Sequence, residues 1–129
     1  MKIDNEISII YDDHPSKEKT DLLTNNLGEI ANQKKNMPPI CDYAFFIMQR
    51  GQIMGGICGY MFYGCLYIDE LWIDASLRGR GFGTELINSA INLAKNKKCL
   101  FCTVNTMDWG AKDFYLRLGF EMEFERQGY

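Results

Sequence analysis

Residues 66–96 read LYIDELWIDASLRGRGFGTELINSAINLAKN and carry the pattern that specifies the fold class. The apolar run Leu66–Asp74 predicts a strand. A loop rich in glycine and arginine follows it, and from Thr84 to about Asn96 the apolar residues recur at helical spacing. A further strand is predicted at Cys99–Val104. This order of strand, glycine loop, helix and strand predicts an α/β (α+β) fold with a mixed sheet.

The sequence before this stretch predicts one helix and two more strands. Residues 16–36 have the periodicity of an amphipathic helix, and the strands are predicted at Tyr43–Gln49 and Ile53–Tyr63. With Leu66–Asp74 they make an antiparallel meander. The second strand is interrupted by glycines, which indicate a bulge or a close neighbour: Gly55, Gly56 and Gly59.

The sequence after this stretch predicts a short helix and the beginning of one more strand. The helix is expected over Asp108–Leu118, with Thr106 or Asp108 as its N-cap and Gly119 just past its end. Phe120–Phe124 is expected to begin the last strand. No linker or repeat divides the chain, so residues 1–129 are expected to form a single domain.

Composition excludes several classes of function. The net charge of −3 lacks the basic surplus of a nucleic-acid-binding module. No apolar stretch reaches the roughly 20 residues that a membrane span needs, and the N-terminus does not read as a signal peptide. The five cysteines are an odd number and are expected to be reduced thiols in a cytoplasmic protein. No second cysteine pair or histidine cluster completes a metal site.

The loop from Arg78 to Thr84 has the composition of an anion-binding site. Its backbone N–H groups, together with the positive end of the following helix, suit a phosphate, and Arg78 and Arg80 add charge. The loop lacks the Gly-Lys-Ser/Thr of nucleotide hydrolases and the third glycine of a dinucleotide fingerprint. The alternative is a tight turn with solvated arginines.

Two motifs resemble the GNAT (GCN5-related) N-acetyltransferase superfamily. Residues 78–83, RGRGFG, fit the family's Arg/Gln-x-x-Gly-x-Gly/Ala signature, and residues 111–120, AKDFYLRLGF, are similar to its A-x-x-F-Y-x-x-x-G-F segment. The strand at residues 67–74 looks like the family's fourth strand. The resemblance implies a mixed central sheet with splayed fourth and fifth strands, flanked by helices. Compared with the family, the sequence is expected to lack the final strand.

The resemblance implies acetyl-CoA as cosubstrate. The loop would hold its pyrophosphate, and the backbone at the end of the fourth strand would pair with its pantetheine arm. Asp108 stands where many members have a cofactor-binding asparagine, and Asn105 is a candidate to replace it. The implied cofactor-binding residues are Leu71, Trp72, Ile73, Arg78, Gly79, Arg80, Gly81, Phe82, Gly83, Thr84 and Asn105.

Acetyl transfer from a thioester to an amine needs a base, a donor for the oxyanion and an acid for the departing thiolate. A backbone N–H of the fourth strand is a candidate donor. Tyr115 matches the tyrosine that often lies near the sulfur and is the expected acid, and Phe114 is expected to be the core member of the pair. Glu70 and Asp69 are the candidate bases. As neighbours in a strand they face opposite ways, unless a bulge shifts the register.

The sequence therefore predicts an N-acetyltransferase that acts on a primary amine of a small molecule or peptide. One alternative is a non-catalytic acyl-CoA-binding sensor. Another is a toxin-like acetylase of aminoacyl-tRNA, against which the acidic balance counts. Neither a nucleic-acid nor a membrane partner is expected. A missing final strand would leave backbone groups unpaired, which predicts either that the sequence is a shortened form of the protein or that a homodimer shares strands.

Overall fold

The computed structural model describes residues 6–35, 39–107 and 110–127. The chain divides into two compact units, residues 1–37 and residues 38–129. The first unit contains helix α1, Lys17–Lys34. Ser16 caps this helix, because its hydroxyl accepts a hydrogen bond from the Lys19 N–H at 3.2 Å.

The second unit is built on a four-stranded mixed sheet in the order β1-β2-β3-β4. Its strands are β1, Cys41–Gln49; β2, Gln52–Phe62; β3, Cys65–Ile73; and β4, Phe101–Val104. Its helices are α2, Phe82–Asn96, and α3, Lys112–Arg117. The first three strands are antiparallel and β4 is parallel to β3, which confirms the predicted meander and the mixed sheet.

The meander is closed by two two-residue turns. Arg50 and Gly51 have φ values of 52° and 77°, and Tyr63 and Gly64 have φ values of 50° and 81°. Two successive residues with positive φ are the mark of the type I′ turn, whose twist matches that of paired strands. These turns fix the register of β1 against β2 and of β2 against β3.

One face of the sheet carries the core. Ile57, Leu66 and Ile68 are at most 1% exposed and pack with α2, whose Ile87 and Ala90 are fully buried. At about 25 cal/mol per Å² of apolar surface, burying each such large side chain stabilises the fold by about 1.5–3 kcal/mol. The core therefore fixes β3 against α2. The loop Arg78–Thr84 lies between these two elements.

The predicted last strand at Phe120–Phe124 is wrong. Residues 121–126 form no strand in the part of the chain described, and Phe124 is 74% exposed. A strand is held by its ladder, and no described strand pairs with this segment.

Two helix predictions are also revised. The short helix begins at Lys112 rather than at Asp108, which lies outside the described residues. Thr106 is not the N-cap, but its hydroxyl accepts a hydrogen bond from the Ala111 N–H at 3.2 Å. Gly119 has φ +96° directly after the C-cap, as predicted. No described helix is both long and apolar enough to cross a membrane.

Candidate functional site

The site begins where β3 and β4 separate. Their ladder runs from the pair Cys65 and Phe101 to the pair Ile68 and Val104 and then ends. Strand β3 continues to Ile73, still paired with β2 on its other side. The edge of β3 beyond Ile68 is therefore open toward the side that β4 has left, which agrees with the splay implied by the resemblance.

A bulge lies at this point of separation. Ile68 is opposite Gly59 and Glu70 is opposite Cys58, so Asp69 is the extra residue in β3. The bulge reverses the alternation of the strand. Ile68 and Leu71 therefore both contact the core, which strict alternation does not allow.

The bulge also sets the outer face of the sheet. The rings of Tyr60 and Tyr67 lie 5.2 Å apart across β2 and β3 on the face opposite the core. Glu70 follows Tyr67 on this face, since its cross-strand partner Cys58 is two residues from Tyr60. Trp72 is 50% exposed and continues the row. The faces expected for an unbulged strand are thus corrected: Tyr67, Glu70 and Trp72 share one face.

The open edge of β3 presents backbone N–H groups. Asp74 donates its N–H to the Met54 carbonyl of β2 at 2.8 Å. Because successive N–H groups of a strand point to opposite sides, those of Ile73 and Leu71 point away from β2, toward the open edge. An extended chain with amide groups can pair with such an edge as an added strand does.

The loop after β3 is organised by Asp74 and by glycine. The Asp74 carboxylate accepts hydrogen bonds from the Ser76 hydroxyl and N–H, which lower its pKa, and so begins a 3-10 turn over Ala75–Leu77. Gly81 then caps α2 with φ +84°, a conformation that favours glycine. The first helical hydrogen bond runs from the Glu85 N–H to the Gly81 carbonyl. The N–H groups of residues 82–84 therefore have no acceptor within the helix.

The two loop arginines have different surroundings. The Arg78 Nε donates to the Ile73 carbonyl at 3.0 Å, which ties the loop to the end of β3. The Arg80 guanidinium lies over the Phe82 ring, 5.6 Å from its centre. Both side chains are exposed. The positive charge of Arg78 is thus held beside the open edge, and that of Arg80 beside the helix N-terminus.

These parts form an open groove of about 260 Å³. It is lined by Leu71, Trp72, Ile73, Arg78, Gly83 and Phe114. A side chain built at Gly79 or Gly81 would meet no atom within 4 Å, so the space over the loop is open. An anion can approach the N–H groups there while an attached arm follows β3. The residues therefore fit acetyl-CoA, the cosubstrate that the resemblance implies.

The two aromatic residues of α3 have the reverse of the predicted burial. Tyr115 is 7% exposed, and its ring contacts Phe114 and Phe120 at 5.3 and 5.4 Å. Phe114 instead lines the groove. Neighbours on a helix are about 100° apart around its axis, and α3 turns the face of Tyr115 to the core. Burial raises the pKa of Tyr115, so its phenol remains protonated.

Both candidate bases, Asp69 and Glu70, are exposed and lie at the bulge of β3. The pKa of the Cys58 thiol is raised by burial and then by the negative charges of Glu70 and Asp69. Both carboxylates lie near Cys58 because Glu70 is its cross-strand partner and Asp69 is the adjacent bulge residue. Only Glu70 is in register on the outer face, because Asp69 is the residue without a cross-strand partner.

Asn105 directly follows β4, at the point where β3 and β4 separate. Its Nδ2 donates to the Tyr67 hydroxyl at 3.5 Å, so it spans the gap between the two strands. It also lines a second open cavity of about 280 Å³ with Thr106, Met107 and Gly110, separate from the groove beside the loop.

The sequence did not predict that Phe114 lines the groove beside the loop, or that Tyr67 lies where β3 and β4 separate. A signal for Tyr67 was present, since the apolar positions change from Leu66 and Ile68 to Leu71 and Ile73. This change of parity marks the bulge. No described group of three or more histidine, cysteine or acidic side chains is arranged to hold a metal ion.

Comparisons with known proteins agree with this geometry. The sequence model described as "Acetyltransferase (GNAT) family" matches residues 7–120. Blasticidin-S acetyltransferase of Streptomyces morookaense is 37% identical over 75 residues, which are 57% of this chain and 55% of that protein. The matched segment thus spans about half the length of that curated relative.

Solved structures share the fold. A crystal structure of an acetyltransferase from Bacillus cereus has a TM-score of 0.68 and 23% identity, and the match covers 87% of this chain and 83% of that one. The aminoglycoside N-acetyltransferase AAC(6')-Iy, solved in complex with CoA, has a TM-score of 0.59 and 17% identity, with 89% and 94% covered.

Proposed function

Because the chain belongs to the GNAT acetyltransferase family, we propose that it transfers an acetyl group from acetyl-CoA to a primary amine of a small molecule or peptide. Acetyl-CoA is the cosubstrate of this family. The observation that carries the proposal is the open edge of β3, which leads directly into the glycine loop at the N-terminus of α2. One groove thus offers N–H groups for an anion and for an extended amide arm.

The loop and the strand divide the binding between them. The N–H groups of residues 82–84, with Arg78 beside them, would hold the pyrophosphate, where the helix dipole favours negative charge. The open N–H groups of Leu71 and Ile73 would hold the arm. When bound, acetyl-CoA supplies an activated acetyl group as a thioester.

The chain's own residues would supply the proton transfers and the charge stabilisation. The Leu71 N–H points to the open edge beside the bulge and would stabilise negative charge on the reacting carbonyl oxygen. Tyr115, next to the groove-lining Phe114, would remain protonated and donate to the departing thiolate. Glu70, on the outer face, would accept the proton of the amine, directly or through water.

The charge of the outer face supports a cationic acceptor. Asp69 and Glu70 are exposed and lie beside the opening, so they attract an ammonium group before it is deprotonated. The names of the matched proteins refer to small molecules, blasticidin S in one and aminoglycosides in another. A small-molecule or peptide amine is therefore the acceptor class that we propose.

The test is a panel of primary amines with acetyl-CoA, in which release of the free CoA thiol is followed. Wild-type protein is compared with Gly81→Glu, which puts a negative charge and a strained φ into the anion site, and with Gly28→Glu as a control for the added charge. We expect thiol release with at least one amine, and CoA affinity lowered about tenfold or more in Gly81→Glu, which is about 1.4 kcal/mol.

Three results of this test would contradict the proposal in different ways. Unchanged affinity of Gly81→Glu for CoA would remove the loop from the binding site. Binding of acetyl-CoA without turnover of any amine would favour a sensor. Acetylation of charged tRNA alone would favour the toxin-like activity.

The outer edge of β4 supports a homodimer that shares strands. β4 is the last strand of the described sheet, and Phe101 within it is 55% exposed. An edge with unpaired backbone groups can accept a strand from a second copy. Light scattering measures the mass directly, and a fully active monomer would refute the dimer.

A further inference from the structure

We propose that Tyr43 is a positioning residue for acetyl transfer, because its hydroxyl holds the carbonyl of Tyr67 and thereby fixes the bulge that directs the N–H groups of β3 into the groove. The proposal rests on the proposed function for its catalytic consequence. Tyr43 does not line the groove. It would act on the reaction only through the backbone of β3.

A single hydrogen bond links the two residues across the sheet. The Tyr43 hydroxyl donates to the Tyr67 carbonyl oxygen at 3.0 Å, although Tyr43 lies in β1 and Tyr67 in β3. The intervening residue of β2 is Gly59, the direct cross-strand partner of Tyr43. Without a side chain at Gly59, the phenol ring can pass over β2 and reach the next strand.

The Tyr67 carbonyl occupies the place that a side chain of residue 59 would take. A Cβ built on Gly59 would lie 1.9 Å from the Tyr67 oxygen and 3.1 Å from the Asp69 nitrogen. That Cβ would point to the core, on the same face as Ile57 and Met61. The Tyr67 carbonyl therefore reaches the core face of the sheet beside the bulge, where the Tyr43 phenol lies.

A carbonyl oxygen on the core face is shielded from water and needs a donor there. A buried acceptor without a partner loses its hydration and gains nothing in exchange. The Tyr43 phenol is 8% exposed and supplies that donor. Its pKa is raised by burial and further by Cys102, Cys58, Tyr115 and Asp69, so the proton that it donates is retained. The hydrogen bond thus selects this orientation of the peptide.

The peptide held by Tyr43 leads directly into the catalytic backbone. The bulge residue Asp69 follows two positions after Tyr67, and the Leu71 N–H follows two positions after Asp69. If the Tyr67 carbonyl lost this hydrogen bond and turned away from Tyr43, the peptides up to Leu71 would rotate with it. The N–H groups at the open edge would then no longer point to the reacting oxygen.

The hydrogen bond can be observed by NMR at one atom. The sequence contains a single Tyr-Ile pair, Tyr67-Ile68. Protein labelled with [1-13C]tyrosine and [15N]isoleucine therefore gives one carbonyl resonance in an HNCO spectrum. We expect Tyr43→Phe to move this resonance upfield, as loss of a hydrogen bond to a carbonyl does. Tyr63→Phe, which removes a phenol at the β2–β3 turn, should leave it in place.

Kinetics then separates positioning from a structural role. We expect kcat of Tyr43→Phe to fall roughly tenfold, because small misplacements of catalytic groups are costly. The affinity for CoA should fall much less than kcat does, since the loop Arg78–Thr84 that would hold the pyrophosphate is not touched. Tyr63→Phe should keep the wild-type kcat. Equal losses of kcat and of CoA affinity would indicate a general structural defect and overturn the proposal.

Two further results would also overturn it. One is an unmoved Tyr67 resonance in Tyr43→Phe, and the other is a moved resonance with unchanged kcat. Gly59→Ala provides a second variant, because it displaces the same carbonyl while leaving the phenol intact. Failure of the proposed function has a different signature: the wild-type protein would release no CoA thiol with any amine, although the Tyr67 resonance still responded to Tyr43→Phe.

Discussion

Replacement of Gly59 by alanine tests whether the bulge is set by close packing of the backbone. The new Cβ would lie 1.9 Å from the Tyr67 carbonyl oxygen, whereas ordinary contact begins at 3.4 Å. The oxygen or β2 must therefore move by about 1.5 Å. Both contacting groups are backbone, so no side-chain rotation can relieve the clash.

A displacement of this size has a calculable consequence for rate and stability. Misplacing catalytic groups by about 1 Å can cost about hundredfold in rate, so we expect kcat to fall to about one hundredth of wild type. Overpacking should lower the free energy of unfolding by about 1–3 kcal/mol. Steady-state assays of thiol release and urea denaturation followed by circular dichroism measure the two effects.

The control for Gly59→Ala is Gly28→Ala, which adds the same methyl group to α1. A Cβ at Gly28 would meet no atom within 4 Å, and alanine is favoured over glycine in a helix by about 0.5–1 kcal/mol. This variant should keep its kcat and gain stability. A Gly59→Ala protein with wild-type kcat and an unmoved Tyr67 carbonyl resonance would refute the reasoning.

Three further predictions concern proton transfer and alkaline stability. Tyr115→Phe should lower kcat at every pH, and a variant as fast as wild type would exclude Tyr115 as the acid. Wild-type kcat should show no alkaline loss from this group below about pH 10, because burial raises its pKa above its ordinary value; an alkaline limb near pH 8 that this variant abolishes would contradict the raised pKa. Glu70→Gln should lower kcat about hundredfold and Asp69→Asn much less, and equal losses would exclude Glu70 as the specific base. Stability should fall as pH rises above about 10, because unfolded tyrosines ionise before the buried Tyr43 and Tyr115 do. Urea titrations from pH 8 to 11 should give a shallower decline for Tyr43→Phe, since each phenol contributes up to about 1.4 kcal/mol per pH unit.

The parts of the fold that follow from local rules were predictable from the sequence. The helical spacing after the glycine loop gave α2 within two residues of its start, and glycine in the left-handed conformation ended α3 at Gly119. The glycines of β2 indicated a bulge or a close neighbour, and Gly59 has both. These features could be predicted because glycine favours particular backbone conformations and apolar spacing marks a helix, without reference to distant residues.

The features that depend on packing between distant segments were not predictable in the same way. Strict alternation assigned Glu70 and Tyr67 to different faces, and the extra residue Asp69 reversed that assignment. The six residues of α3 are too few for a clear helical period, so Phe114 and Tyr115 were assigned to the wrong depths. The hydrogen bond of Tyr43 joins residues 24 positions apart and has no local signature.

The pairing of Tyr43 with Gly59 also has an evolutionary consequence. A larger residue at position 59 would displace the Tyr67 carbonyl, and a residue without a hydroxyl at position 43 would leave that carbonyl without its donor. A change at either position alone would therefore disturb the Tyr67 peptide. Among homologues we expect the two positions to covary, with the tyrosine found where glycine lies opposite it in the register.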